Sequence, residues 1–254
     1  MKLNKPSIYS IRNSYIAYIT AGHRGLEFTK ESAIALSNNG IDILEIGIPF
    51  SDPIADGPVI QEAMIDALQR DTNITGIINT IKEIKKKVTL PIIIFSYFNP
   101  IISFGINNFF SMISEANVEA ILIVDLPLEE SDTYLYFCAK YKIEPIFLLS
   151  PSTPIRRAKE IMKSSNSFLY YVCRNGITGI KTSLPSDYTK KIGTLRSLSN
   201  IPIVTGFGIS SKNMAKEALT HADGFVVGST FVNAITNGAN INELSSLARS
   251  IDPR

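Results

Sequence analysis

Eight apolar stretches of strand length alternate with segments of helical period along the 254 residues of the chain. This alternation constrains the fold more than any other feature, because it is the pattern of a parallel sheet covered by helices. The strand candidates are Tyr15–Thr20, Asp42–Ile48, Pro91–Phe98, Ala120–Leu126, Glu144–Leu149, Phe168–Cys173, Pro202–Phe207 and Gly224–Gly228. Between them, Ile74, Ile77, Ile78 and Ile81, and again Ile106, Phe109, Phe110 and Ile113, follow the stripe of a helix with one buried face. Ser131, and Ser210 with Ser211, stand where helix caps are expected. No linker or low-complexity tract interrupts the series. The expectation is an α/β protein, one domain over residues 1–254 forming a single (β/α)8 TIM barrel, with an open doubly wound sheet as the alternative.

Composition narrows the function classes. A hydrophobic fraction of 45% with 19% charged residues is that of an ordinary globular protein. The net charge of +2 supplies no field for nucleic acid, and the basic run Lys85–Lys87 closes a helical segment, where cations meet the negative end of the dipole. Cys138 and Cys173 have no metal-site spacing and read as free thiols. No stretch has the length of a signal peptide core or a membrane span, so a cytoplasmic protein is expected.

In a barrel of this kind the chemistry sits on the loops at the carboxyl ends of the strands. Strand two carries Glu45, which a two-residue period places on one side with Ile43 and Gly47. Facing inward, it would be a desolvated carboxyl with a raised pKa, suited to giving and taking a proton near neutrality; facing outward, it would make a salt bridge. Asp56 follows in a loop stiffened by Pro49, Pro53, Gly57 and Pro58, which would hold a carboxylate in place but also suits a plain turn former. After strands seven and eight come Gly206-Phe207-Gly208 and Gly228-Ser229, each leading into a helix, a arrangement that can cradle a phosphate or simply turn the chain. Strand six carries Tyr170 and Tyr171, either core or site residues, and the polar loop from Arg174 to Pro185 is long enough for a lid.

Two histidines, His23 and His221, are too few for a multi-histidine metal site, and no lysine lies in a candidate strand to form an imine. Acid-base chemistry by carboxylates, without metal or cofactor, remains.

The segment from Leu44 to Gln61, LEIGIPFSDPIADGPVIQ, resembles the signature of the tryptophan synthase alpha subunit family. Further matches are Tyr18–Gly22, Tyr97–Ile101, Asp125–Pro127, Gly176–Gly179 and Gly206–Ser211, so the resemblance runs nearly the full length. It implies a lyase that splits indole-3-glycerol phosphate into indole and glyceraldehyde 3-phosphate. On that resemblance Glu45 would protonate the indole ring and then take the glycerol hydroxyl proton, Asp56 would hold the ring N–H, and Tyr170 would support the acid. Tyr18, Leu122 and Phe207 would pack the ring, while Gly179, Gly208, Gly228 and Ser229 would bind the phosphate and Thr178 would help close the loop. The resemblance also implies a pyridoxal-phosphate-dependent beta subunit in an α2β2 assembly, docking on the rim around Asp52, Pro53, Asn99 and Pro127. The chain departs from the family pattern at Ala17, where proline is frequent, at His23-Arg24, in place of Asp-Pro, and in a short polar segment before Tyr15. Two rivals are a barrel enzyme on another sugar phosphate, which leaves the Glu45 and Asp56 pair unexplained, and a non-catalytic subunit that only activates its partner.

Overall fold

The computed structural model describes residues 8, 11–173, 179, 183–206 and 208–254. Along the chain, β1 (Ser14–Thr20) is followed by α1 (Leu26–Ser37), β2 (Ile43–Gly47), α2 (Pro58–Gln69), α3 (Ile74–Lys85), β3 (Ile92–Ser96), α4 (Phe98–Phe104) and α5 (Ile106–Glu115). Then come β4 (Ala120–Ile123), α6 (Asp132–Tyr141), β5 (Glu144–Ile146), β6 (Leu148–Leu149), α7 (Ile155–Lys163) and β7 (Leu169–Val172). The last are α8 (Tyr188–Leu198), β8 (Ile203–Gly206), α9 (Lys212–His221), β9 (Gly224–Val227), α10 (Ser229–Thr236) and α11 (Ile241–Ile251).

All strand pairings are parallel, in the order β5-β4-β3-β2-β1-β9-β8-β7-β6. The two ends of that order, β5 and β6, are consecutive halves of one chain segment joined at Phe147, so the sheet closes on itself. This gives the TIM barrel rather than the open sheet. The expected fifth strand, Glu144–Leu149, is therefore split, and Pro145 supplies a reason. Successive backbone groups on a strand face alternate neighbours; Glu144 N–H bonds Glu119 O toward β4 at 2.9 Å, so position 145 faces β7, where proline has no N–H to give. Contact with β7 begins only at Phe147, whose carbonyl accepts from Tyr170 N at 3.2 Å.

The two-residue alternation sorts side chains into two cores. Ile16, Ile43, Ile93, Leu122 and Val204 fill the inside, whereas Ala17, Leu44, Ile46, Ile94 and Ile121 face the helices. The helical stripes pack onto that outer layer through Ile77, Ile78 and Ile81 of α3 and Phe109, Phe110 and Ile113 of α5, all fully buried. Ser211 caps α9 by accepting from Met214 N. Ser131 occupies the expected position before α6 but does not cap it; its hydroxyl donates to Leu128 O at 2.7 Å. Lys85, in the last turn of α3, also bonds Glu119 of the neighbouring unit at 2.7 Å.

Candidate active site

Glu45 faces into the barrel. Its register neighbours are Tyr18 on β1 and Ile93 on β3, both interior residues, and it is 1% exposed. Neither carboxyl oxygen has a hydrogen-bond partner among the described residues, and burial raises its pKa to about 8. The outward, salt-bridged alternative is thereby excluded. Near pH 7 the group is held mostly as the neutral acid.

That burial has a measurable cost. Below the ordinary value of 4.5 the carboxyl is neutral in both folded and unfolded chains; as pH rises from 4.5 to about 8 only the unfolded chain ionises, and stability is lost over that window. Glu45→Gln removes the dependence. Thermal unfolding should find the variant equal to the parent near pH 4 and more stable by on the order of 2–4 kcal/mol at pH 8. A difference that does not grow with pH would contradict a neutral buried Glu45.

Asp56 enters from the loop after β2. Pro53 O accepts from Asp56 N at 3.0 Å, Gln61 Nε2 donates to Asp56 O at 2.8 Å, and Pro58 begins α2 immediately beyond Gly57. The loop thus turns Asp56 into the barrel mouth, where it is 1% exposed and accepts a hydrogen bond from Tyr97 Oη at 2.7 Å. Burial raises its carboxyl to about 6 against the opposing pull of that bond. It is mostly ionised at pH 7, so the two carboxyls are separated into an acid and an anion by their surroundings.

Both line one recess, together with Tyr18, Ile60, Phe95, Tyr170, Gly208, Val226, Gly228 and Ser229. The carboxylates come from the second unit and the glycines from the last two, so the recess has an acidic wall and a wall of free backbone N–H groups where α10 begins at Ser229. Gly208 has φ +92°, a backbone conformation that favours glycine. Tyr18 and Tyr170 stand beside the carboxylates: burial raises both phenols, with Asp56 adding to the effect on Tyr18 and Glu45 to that on Tyr170. Their rings need the glycines beneath them, because a Cβ at Gly47 would lie 2.2 Å from Tyr18 Oη and one at Gly206 would lie 2.5 Å from Tyr170 Oη.

Of the other expected site residues, Leu122 is wholly buried in the inner layer and Phe95, its register neighbour, lines the recess instead. Phe95 meets Tyr18 edge-on, with ring centroids 5.4 Å apart. Gly179 is half-buried and is not one of the lining residues, while Thr178, Phe207 and most of the loop expected to be a lid lie outside the described residues. Tyr97, Phe95 and Ile60 were not singled out in the sequence as site residues. Among the described residues no group of three or more His, Cys, Asp or Glu side chains is placed to hold a metal.

The departures in the first loop have their own bracing. Arg24 N donates to Asp66 Oδ2 of α2 at 2.8 Å, Arg24 Nη1 donates to Ala239 O at 2.7 Å, and the guanidinium lies 4.1 Å from the Phe28 ring centre. His23 is buried, its Nε2 3.3 Å from Thr236 Oγ1 of α10. Before β1, Ile8 and Ile11 are buried in the inner core. Of the rim, Asp52, Asn99 and Pro127 are exposed and Pro53 is half-buried, with Ile54 and Ile102 presenting apolar surface beside them.

Fold and recess together define a (β/α)8 barrel with two buried, oppositely poised carboxyls across its mouth from a glycine-lined helix start. Residues 8–251 match the family model described as "Tryptophan synthase alpha chain", and the chain belongs to that family. It is 47% identical over 240 residues to the tryptophan synthase alpha chain of Coxiella burnetii, covering 94% of this chain and 93% of that one. The structure superposes on tryptophan synthase subunit alpha from Legionella pneumophila with a TM-score of 0.86 at 32% identity, covering 94% of this chain and 91% of the other. For tryptophan synthase of Mycobacterium tuberculosis the TM-score is 0.88 at 27% identity, with 95% and 91% covered. No helix among the described residues is long and apolar enough to cross a membrane.

Proposed function

We propose that the chain cleaves indole-3-glycerol phosphate to indole and glyceraldehyde 3-phosphate in the last stage of tryptophan biosynthesis, as the alpha subunit partnering a pyridoxal-phosphate-dependent beta subunit in an α2β2 assembly. Membership of the alpha chain family supports the assignment. The observation that carries it is that Glu45 and Asp56, each 1% exposed, line one recess with Gly208, Gly228 and Ser229, where burial favours the neutral acid more strongly at Glu45 than at Asp56.

The retro-aldol step needs each of these states. Glu45 delivers a proton to ring C3, leaving the ring nitrogen cationic, and Asp56 balances that charge at the N–H. The Glu45 carboxylate then takes the proton of the adjacent glycerol hydroxyl; its oxygen becomes the aldehyde, and the electrons of the breaking carbon-carbon bond return to the ring as indole. Tyr170 supports the acid, Tyr18 packs the ring with Phe95 and Phe207, and Gly208, Gly228 and Ser229 take the phosphate, with Thr178 helping to close the site. The chain needs no cofactor of its own for this chemistry. A cytoplasmic setting suits Cys138 and Cys173, which are buried and unbridged.

Indole release from indole-3-glycerol phosphate by the purified chain tests the proposal. The expected result is slow turnover alone, faster with the beta subunit, with kcat/KM highest between about pH 6 and 8, where Asp56 is ionised and Glu45 is not. No indole under either condition would leave the non-catalytic reading.

A further inference from the structure

Tyr97 stands immediately after β3, buried at 1% exposure, with its ring 5.2 Å from that of Phe50. Its hydroxyl is used twice: it accepts from Ala55 N at 3.0 Å and donates to Asp56 Oδ2 at 2.7 Å. The first bond turns the phenol proton toward the second. The backbone of Asp56 is held by Pro53 and Gln61, but the carboxylate itself is held only by Tyr97 among the described residues. Tyr97 is in turn set by its own loop, since Phe98 N donates to Asp125 Oδ1 at 2.8 Å, and α4 then presents exposed Asn99 and half-exposed Ile102 at the barrel rim.

We propose that Tyr97 is the positioning residue of the ring-binding carboxylate: its hydroxyl ties Asp56 to the third β/α loop, so that the segment carrying Asn99 and Ile102 sets where the carboxylate points. This rests on the role given to Asp56 above. A phenylalanine would keep the ring packing but strip Asp56 of its one donor among the described residues and leave Ala55 N–H without that acceptor. Among the described residues, the other ionisable groups around Asp56 are Tyr18 on β1, Glu45 on β2 and Tyr170 on β7, and Asp125 acts on Tyr97 from beyond β4. None of them changes in the substitution.

The test is the pH profile of kcat/KM for indole release by the full chain carrying Tyr97→Phe. Losing the donor raises the pKa of Asp56, so the acid limb should move up by about half to one pH unit. The variant's deficit should be about tenfold at pH 6 and shrink to about threefold or less at pH 8, mainly in kcat. Phe50→Leu, which loosens the packing and keeps the hydroxyl, should leave the acid limb in place and shows whether packing alone accounts for any loss. Adding Tyr97→Phe to Asp56→Asn should cost little more than Asp56→Asn alone. A uniform loss at all pH values, or an acid limb that stays put, overturns the proposal while leaving the lyase intact; full activity in Asp56→Asn would overturn both.

Discussion

Glu45→Gln is expected to lower indole release by about 10³-fold or more at pH 7 with little change in substrate affinity. A glutamine has almost the same volume and fits the same inward-facing site between Tyr18 and Ile93 on the neighbouring strands. It cannot supply a proton to ring C3 or accept one from the glycerol hydroxyl. One side chain serves both transfers, so both are lost together, and the expected effect lies at the upper end of what a single acid-base group contributes. The same substitution should stabilise the fold above pH 4.5, so lost activity cannot be mistaken for unfolding. Single-turnover measurement of indole formation, with binding measured separately, checks both parts.

Asp56→Asn should cost about 10²–10³-fold in kcat, because it removes the negative charge that balances the protonated ring. The amide is nearly isosteric, and it can still accept from Tyr97. Its effect should also differ in kind from that at Glu45. The acid limb of the pH profile, set in the parent by ionisation of Asp56 near pH 6, should disappear, whereas the alkaline limb set by Glu45 near pH 8 should persist. An acid limb that survives at its old position would assign it to another group.

The barrel was legible because alternation between strand and helix periods survives any local error in boundaries. The split of the fifth strand was not, since the effect of Pro145 depends on which neighbour its missing N–H would have faced. Glu45 was the harder case. Ile43 and Gly47 on its side of β2, and Leu44 and Ile46 on the other, give two apolar faces, and only the closed sheet says which one is the inside. Asp56 looked like a turn residue because its burial comes from contacts far along the chain. Tyr97, read only as part of the strand candidate Pro91–Phe98 and of a family match, gave no sign of its role for the same reason: its partner lies 41 residues away, and nothing near it in sequence signals a hydrogen bond. Phe95 and Leu122 are both inner-layer residues on adjacent strands, and their order toward the recess is set by barrel geometry rather than by period.

Asp52, Pro53 and Ile54 precede Asp56 in one loop, and Asn99 and Ile102 follow Tyr97 in another, so under the proposed role of Tyr97 both loops converge on one carboxylate.

A crystal structure of the Glu45→Gln chain soaked with indole-3-glycerol phosphate would examine the shared recess most directly. The ring N–H should lie within hydrogen-bond distance of Asp56, ring C3 should face residue 45, and the phosphate should rest on the N–H groups at Gly208, Gly228 and Ser229. A ring bound with its nitrogen away from Asp56, or a phosphate seated elsewhere, would show that these two carboxyls do not act on one substrate.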